Sequence, residues 1–234
     1  MFEARWVICE DPEEMLRYLL GKTCDRKLRL FACACVRRVW RLLRDERSRA
    51  AVYMAERYAD RPGGFTQLMA SRREAHQAEQ YFHSLTLRGE GAEYETVRWA
   101  ARAAEATVED TGWDVARNAA RSAEYAVGSE AARERVAQCS LLRDSFGNPF
   151  CPESFDPAWL RWNRNCLAAM ASAIYEDQRF DHLPILADAL EEAGCENEII
   201  LWHCREPGEH ARGCWVLDAL LGKKSSGERV ALAL

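Results

Sequence analysis

The sequence has no apolar run approaching the ~18 residues that a membrane-spanning helix needs. With 29% charged residues and a mean hydropathy of -0.38, no span is expected. Strand signals are also missing, since no stretch alternates apolar and polar residues over several positions and no tight hairpin turn occurs. The glycine-rich fingerprints of phosphate loops and dinucleotide folds are absent, which argues against a nucleotide enzyme. The N-terminal stretch MFEARWVICEDPEEM carries acids where an export signal carries basic residues and then an apolar run, so a cytoplasmic location is expected. Ten cysteines in 234 residues fall well below the density of disulfide-stapled domains, and reduced thiols packed as small hydrophobes are the expectation.

What remains is helical. Asp11-Pro12-Glu13-Glu14 has the form of a helix start, with a cap, a proline at the first position and acids at the positive end of the dipole, and Gly21 stops it after Leu20. Asp25 is then expected to cap a helix running to about Leu43, along which Leu28, Phe31, Cys35, Val39 and Leu42 recur at helical spacing. Leu30, Cys33 and Trp40 lie off that stripe, so this helix should be covered on more than one side. Further helices are expected over 46–59, 66–87, 129–143, 165–176 and 181–190. The alanine-rich region 93–127 should be helical with Gly112 as its interruption. Ala100–Glu105 is echoed by Ala119–Glu124 at an offset of nineteen residues, which reads as shared alanine-rich composition rather than a repeat unit. The stretch Ser145–Pro152 is turn-rich but holds two phenylalanines, so it is expected to be a packed connector. The fold class is therefore all-α, a compact bundle of roughly eight to ten helices. It should comprise an N-terminal bundle over 1–143 and a Cys/His-containing helical subdomain over 144–234 packed on it.

Charge is unevenly placed. Residues 22–49 hold ten Lys or Arg against three acids, and 176–198 hold eight Asp or Glu against one Arg. Arg26, Arg37, Arg41 and Arg44 fall opposite the apolar stripe of the second expected helix, with Arg38 adjoining, and such a face can neutralise phosphates. Arg26, Arg37, Arg38, Arg41 and Arg44 are thus the nucleic-acid candidates. An internal or subunit contact uses the same charges equally well.

The densest chemistry lies near the C-terminus, where Cys195, His203, Cys204, His210 and Cys214 fall within twenty positions. Zinc needs donors that converge tetrahedrally. Here His203, Cys204, His210 and Cys214 are the candidate ligands, and the turn Glu206–Glu209 can fold His210 and Cys214 back over His203 or Cys204. Only the His210–Cys214 spacing is metal-like. A cysteine nucleophile is the alternative, with His203, His210 and Cys214 meeting and Asp218 as orienter. Cys33 and Cys35, two apart on a helix, do not face each other and are no redox pair.

The blocks Asp25–Cys35, Leu141–Phe150 and Leu183–Gly222 resemble a helical protein family found mainly in planctomycete bacteria. Leu183–Gly194 is also similar to the short helical segment of repeat-companion domains from those bacteria. The resemblance implies a lineage and brings no catalytic residues with it. The expected function is a non-catalytic helical interaction module that binds a protein partner or a second copy, with no membrane and no cofactor other than zinc. A nucleic-acid-associated protein and a zinc- or Cys/His-dependent enzyme are the alternatives.

Overall fold

A computed structural model describes residues 1–61, 63–91, 93–110 and 112–223. Among them the chain is all-α, in order α1 (Glu3–Ile8), α2 (Pro12–Leu19), α3 (Asp25–Arg38), α4 (Glu46–Asp60), α5 (Phe65–Leu87), α6 (Glu93–Ala106), α7 (Gly112–Val127), α8 (Ala131–Phe146), α9 (Pro157–Arg161), α10 (Cys166–Asp177), α11 (Leu183–Glu192), α12 (Glu198–Arg205) and α13 (Trp215–Leu220). No described helix is long and apolar enough to cross a membrane.

Local chemistry explains most boundaries. The Asp11 carboxylate accepts from the amides of Glu13 and Glu14, which lack partners within the helix, and Pro12 fills the first position of α2. Asp45 and Asn197 cap α4 and α12 in the same way. Two expectations need correction. Asp25 is the first residue of α3 rather than its cap, and α3 ends at Arg38, followed by a 3-10 turn over Trp40–Leu42. The alanine-rich region breaks at Thr107–Asp110, just before Gly112, where the Thr107 hydroxyl donates to the Ala104 carbonyl. Helix α1 lies where no element was expected. Its one buried side chain, Trp6, donates its indole N–H to the Gly147 carbonyl at 3.0 Å.

Helix α3 is the axis of the molecule. Every residue from Lys27 to Val36 is buried, and α4, α6, α7 and α8 all pack against it. Helices α6 and α7 pair through alanines, with Ala100, Ala103, Ala104, Ala116, Ala119 and Ala123 fully buried. Small side chains let the two backbones approach closely.

The buried apolar residues form two main clusters. One gathers α1 to α8, from Trp6 to Leu142, together with Ala211. The other gathers α10 to α13, from Leu167 to Leu220. The connector between them is packed, as expected from its phenylalanines, and the Phe150 ring stacks on Tyr18 at 4.8 Å.

Polar groups fill the seam between the clusters. Arg26 binds both carboxylate oxygens of Asp218 and also reaches Asp60 and the Tyr175 hydroxyl. Lys27 pairs with Asp218 at 2.6 Å.

Candidate metal centre

Four side chains from separate elements meet in this seam. Asp144 comes from the last turn of α8 and His203 from the last turn of α12. His210 lies in the loop between α12 and α13, and Cys214 is the residue before α13. One donor atom from each lies within 4.8 Å of every other. His203 Nε2 is 3.3 Å from Asp144 Oδ1 and 3.2 Å from Cys214 Sγ, and His210 Nδ1 is 2.6 Å from Asp144 Oδ1. Tetrahedral zinc, with nitrogen or oxygen at ~2.0–2.1 Å and sulfur at ~2.3 Å, spaces its ligands roughly 3.3–3.6 Å apart. The His203–Asp144 separation sits at the short edge of that range, and the His203–Cys214 and His210–Asp144 pairs are closer than it.

The electrostatics follow from burial. Burial pushes the Asp144 carboxyl up, but hydrogen bonds and charge from His203 and His210 prevail and hold it at about 2. Burial lowers the His210 imidazole, but the hydrogen bond and charge of Asp144, with Glu206 adding to them, leave it above its ordinary value. Burial raises the Cys214 thiol well above its ordinary range, with the Asp144 charge adding to the effect. A thiol in that setting is inert as a nucleophile, whereas a coordinated metal deprotonates it outright.

The same geometry separates a metal site from a catalytic triad. A relay uses the two ring nitrogens of the histidine for different partners, one for the nucleophile and one for the orienting acid. Here a single nitrogen, His203 Nε2, faces both Cys214 and Asp144. Asp218, the acid expected to orient a cysteine–histidine pair, is committed instead to Arg26 and Lys27.

Of the four expected ligands, the structure brings His203, His210 and Cys214 together, and Asp144 takes the place expected for Cys204. Successive residues on a helix project about 100° apart, so His203 and its neighbour Cys204 cannot face the same point. Cys204 is buried in the second apolar cluster, where burial carries its thiol to about 12. Cys195 follows Gly194 at the end of α11, its amide bonded to the Leu190 carbonyl, and belongs to that same cluster.

The chain matches no family model, no curated protein and no solved structure.

The arginine face does not form as expected. Arg26 is tied to Asp60 and Asp218, Arg37 to both oxygens of Glu56, and Arg38 to Glu134 and Glu209. Only Arg41 and Arg44 of the five candidates are exposed, and Arg44 lies over the Tyr94 ring. Because α3 stops at Arg38, these two leave the helical wheel on which the continuous face was drawn. The acids that hold Arg26, Arg37 and Arg38 come from α4, α8, α13 and the loop before α13, rather than from 176–198.

A second group, His76, Glu79 and Glu105, also clusters. Each of its carboxylates faces a guanidinium, Glu79 with Arg98 at 3.1 Å and Glu105 with Arg102 at 2.9 Å. It is an ion-pair cluster that joins α5 to α6.

Proposed function

We propose that the chain is a metal-stapled helical module in which Asp144, His203, His210 and Cys214 hold one divalent ion of the zinc class. The observation that carries this reading is the convergence, at one buried point, of sulfur, nitrogen and oxygen donors from four places in the chain. Mixed donors of this kind suit zinc better than magnesium or calcium, which take oxygen. Four protein ligands, with Asp144 and Cys214 buried, leave no open position for water or substrate, which supports a structural role over catalysis. In that role the ion joins the end of α8 to α12 and α13, and so fastens the second apolar cluster to the first.

The module binds a protein partner or a second copy rather than transforming a substrate. Helix α12 turns His203 inward, while Ile199 and Trp202, three residues apart on one face, are 55% and 62% exposed. The internal pairing of Arg26, Arg37 and Arg38 weighs against nucleic acid as that partner.

Zinc titration of chelator-treated protein tests the reading. One zinc per chain is expected, with a melting temperature that climbs with free zinc. At free zinc a thousandfold above Kd the gain is about 4 kcal/mol. Asp144→Asn and Cys214→Ser should abolish uptake and Cys204→Ser should retain it. Wild-type protein that takes up no zinc, or uptake lost in Cys204→Ser, would overturn the assignment.

A further inference from the structure

We infer that Lys27 is a positioning residue for this metal centre, an inference that rests on the metal reading. Lys27 sits in the first turns of α3 with its side chain 1% exposed, and the partners of its ammonium are neighbours of the ligands rather than the ligands themselves. Its ammonium has three N–H donors and three acceptors: Asp218 Oδ2 at 2.6 Å, the Ser145 carbonyl at 2.7 Å and the Gly213 carbonyl at 2.7 Å. Ser145 directly follows Asp144, and Gly213 directly precedes Cys214. Asp218 is one helical turn beyond Cys214, and its amide bonds back to the Cys214 carbonyl at 2.9 Å. One cation on α3 therefore ties together the carbonyl that follows Asp144, the carbonyl that precedes Cys214 and the side chain one turn beyond Cys214.

Gly213 makes this contact accessible. Its φ is +92°, and a Cβ there would stand 3.2–3.3 Å from the Leu30 side chain one turn along α3. The loop thus lies directly against α3, and its carbonyl reaches Lys27. On the other side Gly147, with φ +61°, lies flat against Trp215, whose ring packs on His203 at 5.1 Å. The ligand-bearing segments are held from behind on both sides.

Groups that orient metal ligands without touching the ion typically change metal affinity 10–100-fold when removed. Lys27→Met keeps the length and apolar stem of the side chain but removes all three donors. Because it also leaves Asp218 with one cation fewer, the double variant Lys27→Met/Asp218→Leu serves as a second test in which neither member of the Lys27–Asp218 pair is stranded and Arg26 keeps Asp60. Zinc affinity is measured by chelator competition on protein shown by circular dichroism to be folded, and the absorption of the cobalt derivative reports ligand geometry. Val52→Ala, a truncation on α4 within the first apolar cluster, to which none of the four ligands belongs, lowers stability and should leave both readouts unchanged. The inference expects a 10–100-fold weaker zinc affinity and altered cobalt ligand-field bands in both Lys27 variants. Wild-type affinity and an unchanged cobalt spectrum in either folded Lys27 variant would overturn it. A wild-type chain that takes up neither zinc nor cobalt defeats the underlying metal reading, and that result is distinct because it appears before any variant is made.

Discussion

Replacing Asp218 by asparagine should be among the most damaging single changes in this chain, even though the new side chain has the same shape. Asp218 is fully buried, Lys27 is 1% exposed and Arg26 is 14% exposed. Its carboxylate stands 2.6 Å from Lys27 and 2.7 and 2.8 Å from two nitrogens of Arg26. Neutralising it strands the Lys27 ammonium in the interior with two carbonyls and no counter-charge. Removing one partner of a buried pair costs about 3–5 kcal/mol. Arg26 keeps Asp60 at 2.9 Å and some solvent, so the expected loss lies at about 3–4 kcal/mol. For a chain of this size each kcal/mol lowers the melting temperature by roughly 2–4 °C, giving a drop of roughly 6–16 °C. Urea denaturation at neutral pH and fixed free zinc, run on wild type, Asp218→Asn, Lys27→Met and the double variant Lys27→Met/Asp218→Leu, measures the loss and the coupling. The double variant should recover much of the loss, because apolar replacement of both charges removes the stranded ion. A loss below about 1 kcal/mol in Asp218→Asn, in the range of exposed surface pairs, would refute this account of the seam.

Acid should loosen the same seam through Asp60. Burial alone would raise this carboxyl, but Arg26 and Lys223 beside it, with a hydrogen bond from the Tyr175 hydroxyl, hold it below its ordinary value. A depressed native value adds stability above the unfolded carboxyl's pKa of ~3.9, and that stability is lost as pH falls through the native value. Asp60→Asn should therefore flatten the acid limb of the stability–pH curve, and an unchanged limb would contradict the assignment. On α7, Ala119 is fully buried, so Ala119→Leu should cost about 1–3 kcal/mol by overpacking in urea melts. Binding to labelled DNA or RNA, compared at two salt concentrations, should be weak, and reversal of exposed Arg41 and Arg44 should change it little. Tight, salt-sensitive binding lost on that reversal would restore the nucleic-acid reading.

The helical elements were legible because their signals are local. Asp11-Pro12 and the apolar periodicity of Leu28, Phe31 and Cys35 act within a few residues of chain, and α2 and α3 follow from them. Helix α1 was not legible, since its only buried side chain, Trp6, is held by Gly147 from far along the sequence. The end of α3 was misplaced because the spacing of Val39 and Leu42 also fits the 3-10 turn that replaces the last helical turn. Three of the four converging donors were visible as a cluster near the C-terminus. The fourth, Asp144, lies 59 positions before His203, and no spacing rule connects them. Its one sequence signal is an acid three residues after Leu141, on the same face of a helix that buries Leu141, Leu142 and Ser145. Cys204 adjoins His203 in sequence, but a helix points neighbours about 100° apart, and its thiol goes into the second apolar cluster. The arginines misled for a related reason, because the acids that hold Arg26, Arg37 and Arg38 come from distant elements.

X-ray absorption at the zinc edge of the zinc-loaded protein tests the central claim most directly. The account predicts four-coordinate zinc with one sulfur at ~2.3 Å and three nitrogen or oxygen ligands at ~2.0–2.1 Å. Two sulfurs would return Cys204 to the site. A six-coordinate shell of oxygen and nitrogen, or protein that holds no zinc, would contradict the staple altogether.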